Sequence, residues 1–145
     1  MRAVLQRVSS ARVRVEDAVV GEVGKGLCVL VGVTHSDTDT DARWTARKIA
    51  ALRLFDDETG TMNLSLLEAG GSVLLVSQFT LYGDTGRGRR PSWSSAAPAA
   101  QAEPLVRAVA DELRKQGVTV ATGSFGAAME VELVNEGPVT LLLET

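Results

Sequence analysis

Short runs of alternating apolar and polar residues fill the first 33 positions of the chain. Alternation with a period of two predicts strands, above all where β-branched residues are frequent. Four runs show it: Val4–Val8, Arg12–Val15, Val19–Val23 and Leu27–Val33. Three-residue connections separate them, at Ser9–Ala11, Glu16–Ala18 and Gly24–Gly26. Because these are too short for the crossovers that join parallel strands, the pattern predicts an antiparallel meander.

Two later stretches carry apolar residues at helical spacing instead. The first runs from Asp37 to Leu52, and either Asp37 or Thr38 can cap its start. The second runs from Ala99 to Gln116 and is followed by Gly117, the residue type that most often ends a helix. The sequence therefore predicts two principal helices.

Further strands are predicted in the second half of the chain. They are Ser72–Leu81, Val118–Val120, Met129–Val134 and Val139–Glu144. No repeat and no domain linker is visible between them. These elements predict a single compact α+β domain over residues 1–145, with mainly antiparallel sheets and two helices.

Composition and charge narrow the class of protein. With 45% hydrophobic and 23% charged residues the chain is typical of a globular protein. The net charge is −3, so the protein as a whole does not attract a polyanion. Any contact with nucleic acid therefore requires a local basic patch. Apolar runs stay far below the roughly 18 residues of a membrane span, and we expect a cytoplasmic protein without membrane contact. Cys28 lies in an apolar run, which predicts a buried and inert thiol.

The inventory of reactive side chains excludes several common kinds of site. His35 is the only histidine and Cys28 the only cysteine, so neither a thiolate metal site nor a histidine-rich one can be built. His35 also has no nucleophile motif near it, and we interpret it as a solvated or capping residue. We therefore expect no metal and no cofactor.

Three other segments carry candidate chemistry. Ser77–Leu81 ends an apolar strand in hydrogen-bonding side chains, although a strand that frays into solvent looks the same. Asn135–Thr140 contains a Gly-Pro dipeptide whose geometry the sequence does not determine. Gly86–Trp93 holds three arginines between glycines, and it is either a phosphate-binding loop or a solvated one.

These segments together resemble the D-aminoacyl-tRNA deacylases. The resemblance covers essentially the whole chain. Its two signature segments, Ser77–Leu81 and Asn135–Thr140, lie about 55 residues apart. It rests on Gln6–Val8, Ser77–Leu81, Arg90–Ser92, Thr122–Met129 and Asn135–Thr140. It implies a carboxylic ester hydrolase with a barrel-like core that releases D-amino acids from tRNA.

The resemblance also implies how the site is assembled. The enzyme would be a homodimer with its active sites at the subunit interface, each combining Ser77, Gln78, Phe79 and Thr80 of one chain with a cis Gly137–Pro138 of the other. That backbone would reject L-aminoacyl esters sterically. Glycine has no side chain to exclude, so we expect activity on glycyl-tRNA, including glycine mischarged on alanine tRNA.

Further residues are implied with narrower roles. Phe125, Gly126 and Met129 match the segment that lines the adenosine and aminoacyl pocket, and Arg7 matches a residue that braces the Gly-Pro loop. The arginines of the basic loop would contact acceptor-stem phosphates. They are Arg87, Arg89 and Arg90.

The chemistry leaves two routes open. Thr80 or Ser77 could attack the ester, but a hydroxyl without an adjacent base is a weak nucleophile. The family instead implies that the 2′-hydroxyl of the terminal adenosine activates water while N–H groups near Phe79 and Thr80 hold the oxyanion. Alternatives remain: a noncatalytic tRNA-binding dimer, a purely structural dimerisation module, or a related deacylase with a trans Gly-Pro and relaxed chirality.

Overall fold

Two long strands, Arg2–Val15 and Glu130–Glu144, determine the architecture of the chain. A computed structural model describes residues 1–86 and 88–145. Within these residues the helices are α1 (Asp39–Ala51) and α2 (Ala99–Lys115), and a 3₁₀ turn spans Phe79–Tyr82. The strands are β1 (Arg2–Val15), β2 (Ala18–Val23), β3 (Gly26–Gly32), β4 (Phe55–Asp56), β5 (Met62–Leu64), β6 (Ser72–Ser77), β7 (Thr119–Thr122) and β8 (Glu130–Glu144).

The main sheet has the order β2-β1-β3-β6-β7, and β8 also pairs with β1. All pairs made by β1 are antiparallel, whereas β3, β6 and β7 run parallel to one another. The edges of this sheet meet, because a Cβ added to Gly21 of β2 would lie only 2.6 Å from the carbonyl oxygen of Thr122 of β7. The sheet is therefore nearly closed into a barrel, and the predicted α+β class with two helices is confirmed.

Two predicted boundaries and the predicted order of the opening strands were wrong. Ser9–Ala11 is not a connection, because β1 continues through it while pairing with β8 along most of its length. The opening is also no simple meander, since β1 lies between β2 and β3. The strand predicted from Ser72 ends at Ser77, and the following residues coil into the 3₁₀ turn.

A bulge replaces the predicted break between the last two strands. Asn135 pairs with Val8 and Thr140 pairs with Gln6, so the four residues from Glu136 to Val139 stand opposite Arg7 alone. The extra residues cannot fit in the ladder and are pushed out of it. The Gly137–Pro138 dipeptide thus lies on a projection from a continuous β8.

Both helices pack their apolar faces into the main core. Ile49 of α1 and Leu113 of α2 are completely buried there. Thr38 caps α1, and its backbone N–H and hydroxyl both donate to Asp41, which lowers the pKa of that carboxyl. Gly117 follows α2 with a φ of +90°, as its predicted role in ending the helix requires.

Cys28 lies in a smaller apolar cluster on the other side of the sheet. Burial raises the pKa of its thiol to about 11, so the thiol is uncharged at neutral pH. The predicted buried position is confirmed. None of the helices in the described residues is both long enough and apolar enough to cross a membrane.

Candidate functional site

A cavity of about 300 Å³ opens where the parallel strands β3 and β6 end. Ser77, Gln78 and Phe79 form one wall of it, and Phe125 and Gly126, which follow β7, form another. The first turns of α2 close the cavity. The carboxyl ends of neighbouring parallel strands meet at one edge of a sheet, so the fold brings these distant segments together there.

A second cavity of about 250 Å³ adjoins the first. Both are lined by Ser77, Gln78, Phe79 and Gly126, and Met129 lines the second. Gly126 has a φ of +76°, a backbone conformation that favours glycine. The structure thus places most of the predicted pocket residues around one double cavity.

The 3₁₀ turn that begins at the shared wall carries backbone donors at its start. The N–H of Gln78 donates to the carbonyl oxygen of Val31, over 2.7 Å, which ties the turn to β3. Among the described residues, the N–H groups of Phe79 and Thr80 have no acceptor. Two neighbouring unpaired N–H groups suit an oxyanion that develops during ester hydrolysis.

The side chain of Thr80 is poorly placed to act as a nucleophile by itself. Its hydroxyl accepts a hydrogen bond from the side-chain amide of Gln78. An amide cannot take up the proton that an attacking hydroxyl must lose. His35, the only imidazole, bonds to the carbonyl oxygen of Ser94 instead. No basic side chain in the described part of the chain bonds to Thr80, so a base must come from elsewhere.

The far end of the turn is held by Arg2 of β1. Its guanidinium donates to the carbonyl oxygen of Leu81 over 3.0 Å and lies 4.7 Å from the ring centre of Tyr82. Partial burial raises the pKa of Tyr82 to about 12. Tyr82 is therefore a neutral, structural residue at physiological pH.

Gly137 and Pro138 do not line either cavity within one chain. Both are exposed on the bulge of β8, and the peptide bond between them is cis. Arg7 braces this bulge as predicted, because its Nε donates to the carbonyl oxygen of Glu136 over 3.1 Å. Arg7 is itself buried and lines neither cavity of the single chain.

The predicted basic loop lies beside the double cavity. Asp84 and Ser92 pair in both directions, over 2.8 and 2.9 Å, and close the loop at its base. Arg89 and Arg90 are exposed on it, whereas Arg87 lies outside the described residues. The base of the loop lies near the 3₁₀ turn, because the ring centres of Trp93 and Phe79 are 5.5 Å apart.

Known proteins resemble the chain over its full length. The family described as D-Tyr-tRNA(Tyr) deacylase matches residues 4–144. A D-aminoacyl-tRNA deacylase from Heliobacterium modesticaldum is 58% identical over 144 residues, or 99% of this chain and 96% of that protein. Another, from Roseiflexus sp. strain RS-1, is 59% identical and is covered to 94% of its length. The chain belongs to the D-aminoacyl-tRNA deacylase family.

Solved structures agree with this deacylase fold. One described as the c-Myc DNA Unwinding Element Binding Protein superposes with a TM-score of 0.93 at 38% identity, covering 100% of this chain and 99% of that one. One described as a probable eukaryotic D-amino acid tRNA deacylase gives 0.84 at 20% identity, covering 98% and 97%. At that lower identity the likeness shows the fold alone.

Sequence reasoning missed the wall of the deacylase cavity that α2 contributes. This wall consists of small or medium apolar side chains from the start of the helix and the residues before it: Ala97, Ala99, Ala102 and Val106. The only signal for it was the run of alanines at 96–102, because small side chains leave space next to a neighbouring element. The periodicity that predicts a helix gives no sign of a cavity.

Proposed function

We propose that this member of the family is a cytoplasmic, cofactor-free homodimer that proofreads the chirality of aminoacyl-tRNA. It hydrolyses the ester bond of D-aminoacyl-tRNA and of glycyl-tRNA, including glycine mischarged on alanine tRNA, and spares L-aminoacyl esters. One observation carries this proposal: Phe79 lines both adjoining cavities, and at this start of the 3₁₀ turn the N–H groups of Phe79 and Thr80 have no acceptor among the described residues.

Each active site is completed by the partner chain. The double cavity supplies Ser77–Thr80, Phe125, Gly126 and Met129 from one protomer, and the projecting Gly137–Pro138 comes from the other. Two features of the single chain support this assembly. The exposed Gly137 and Pro138 line neither cavity of their own chain, and β8 exposes large apolar side chains such as Leu142, which is 76% exposed.

Selection between enantiomers is steric in this proposal. The carbonyl groups of Gly137 and Pro138 accept from the α-amino group of the substrate, and the side chain of a D residue points away from this backbone. In the L enantiomer the hydrogen and the side chain at Cα are exchanged. The side chain would then collide with the Gly137–Pro138 backbone. Glycine carries no side chain to exclude, so a site that works only by exclusion accepts it.

The hydrolytic step uses water and a group from the RNA. The 2′-hydroxyl of the terminal adenosine orients and activates a water molecule, which attacks the ester carbonyl. The N–H groups of Phe79 and Thr80 stabilise the oxyanion, and the 3′-hydroxyl of tRNA leaves with a proton. The absence of a basic partner for Thr80 among the described residues supports this route over direct attack by its hydroxyl.

Single-turnover hydrolysis of three esters tests the proposed activity. We expect D-tyrosyl- and glycyl-tRNA to be hydrolysed while L-tyrosyl-tRNA is spared, with a chelator present throughout. Equal decay of all three would contradict selection by exclusion. Binding of tRNA without hydrolysis of any ester would favour the noncatalytic tRNA-binding dimer.

A pair of changes separates the two chemical routes. We expect Thr80→Ala to keep substantial activity, whereas a D-aminoacyl-tRNA with a 2′-deoxy terminal adenosine loses it, because only the second change removes the group that activates water. Single-turnover rates for the enzyme variant and for the modified substrate provide the measurement. The reverse pattern would identify Thr80 as the nucleophile.

A further inference from the structure

We propose that the rings of Phe79 and Trp93 form a platform that binds the nucleobase next to the terminal adenosine of tRNA. The two ring centres lie 5.5 Å apart with their planes at 72°, so the rings form a corner rather than a stack. A nucleobase can lie flat on one ring of such a corner while its edge meets the other. The inference rests on the proposed function, because it requires the terminal adenosine to occupy the adjoining cavity.

Both rings are accessible in the single chain. Phe79 is 55% and Trp93 43% exposed, although aromatic residues make up only 4% of the sequence. The indole of Trp93 packs closely against the backbone at Gly83, because a Cβ added there would collide with the ring. The platform is therefore packed against the chain on its inner side and open on its outer side.

The platform joins the cavities to the basic loop. Phe79 lines both cavities, and Trp93 directly follows the pair formed by Asp84 and Ser92 at the base of the loop. A strand of nucleic acid whose last nucleoside enters the cavity must then pass the rings before it reaches the loop. Unpaired bases are recognised in this way, with stacking on aromatic rings and phosphates held by arginine.

Charge favours an anionic ligand over a second copy of this chain. Among the described residues, Arg89 and Arg90 form no ion pair. Three arginines of β1, in contrast, are already paired with carboxylates of β8: Arg2 with Glu144, and Arg12 and Arg14 with Glu132. The unpaired cations of this loop match a phosphate backbone.

The fluorescence of Trp93 tests the platform without relying on turnover. Trp44 of α1 is the other tryptophan, and Trp44→Phe leaves Trp93 as the only one. We expect titration with a tRNA minihelix that carries no amino acid and ends in an unpaired CCA to quench this fluorescence. A minihelix that lacks the base of its penultimate nucleotide should quench it much less. Equal quenching by both RNAs, or none by either, would overturn the proposal.

Variants measure the contribution of the ring to affinity. We expect Trp93→Ala to weaken binding of a labelled minihelix about tenfold, within the range for one base stacked on an aromatic residue, whereas Trp93→Phe retains most of the affinity. The penalty should vanish with the RNA that lacks the penultimate base. A penalty that is the same for both RNAs, or a loss of dimer in sedimentation, would assign Trp93 to folding or to the subunit interface and refute the platform.

These results remain distinct from a failure of the proposed function. Hydrolysis of D-tyrosyl-tRNA without any base-dependent quenching refutes only the platform. Base-dependent quenching without hydrolysis of any ester supports the platform and refutes the catalytic proposal.

Discussion

Arg7 joins three segments that are remote in sequence. It lies on β1, and its side chain donates to the carbonyl oxygens of Leu54 and Glu136, over 2.8 and 3.1 Å, and to the carboxylate of Asp56 over 3.1 Å. The planar guanidinium makes these contacts in fixed directions, which an ammonium group cannot reproduce. Since Glu136 begins the bulge that carries Gly137, Arg7 is a positioning residue for the proposed selector.

We therefore expect Arg7→Lys to lower the ratio of D- to L-ester hydrolysis as well as stability. The lost charged hydrogen bonds correspond to roughly 1.5–3 kcal/mol, and the bulge loses its brace. Single-turnover rates on both enantiomers, together with urea unfolding, give the two readouts. Arg12→Lys, an exposed change on the same strand, should alter neither of them. Lower stability with an unchanged ratio would restrict Arg7 to a structural role.

The sequence identified some site residues and missed others for one physical reason. Ser77–Thr80 and Gly137–Pro138 belong to short motifs, so a resemblance could point to them directly. Ala102 has no such motif, and only the packing of α2 over the ends of β3 and β6 brings it to the cavity. Arg7 was found through the same resemblance, and its hydrogen bond to Glu136 brings it to the Gly-Pro loop although it lies buried outside both cavities.

Hydrophobic periodicity predicted an element well where that element packs a single apolar face against the core. Both helices were found within two residues of their ends, because each packs a single apolar face on the core. The long strands β1 and β8 were each divided in two instead. Pairing across a bulge interrupts the alternation locally without ending the strand, and only the partner strand reveals this.

The placement of α2 yields a prediction about this helix. Ala102 is buried but faces the 300 Å³ cavity, so a larger side chain can enter that space without overpacking the core. We expect Ala102→Leu to lower single-turnover activity at least about tenfold, since small displacements of a substrate are costly, while the melting temperature stays near that of the wild type. Ala100→Leu, at an exposed position of the same helix, should leave both unchanged. Full activity of Ala102→Leu would show that the substrate does not use this cavity.

At the scale of the whole molecule, the cavities and the selector of one chain lie apart. The cavities are lined by the ends of parallel strands, whereas Gly137 projects from a bulge of β8 and touches neither cavity. The proposed twofold dimer would resolve this separation, because each protomer could then offer its bulge to the cavity of the other. It would also cover apolar side chains that one chain leaves exposed on β8, such as Val134 and Leu142.

Complementation between two inactive variants tests this assembly directly. Gly126→Val puts a branched side chain at a φ of +76° in the cavity wall, and Gly137→Val places a Cβ 2.7 Å from the side-chain oxygen of Asn135, so each should be inactive alone. Each proposed site combines the cavity of one protomer with the bulge of its partner. In a hybrid dimer one site therefore carries both changes and the other site carries neither. Random mixing should therefore restore about a quarter of the wild-type rate, since half of the dimers are hybrids with half of their sites intact. If differently tagged hybrids form and still hydrolyse no D-tyrosyl-tRNA, each site must lie within a single chain.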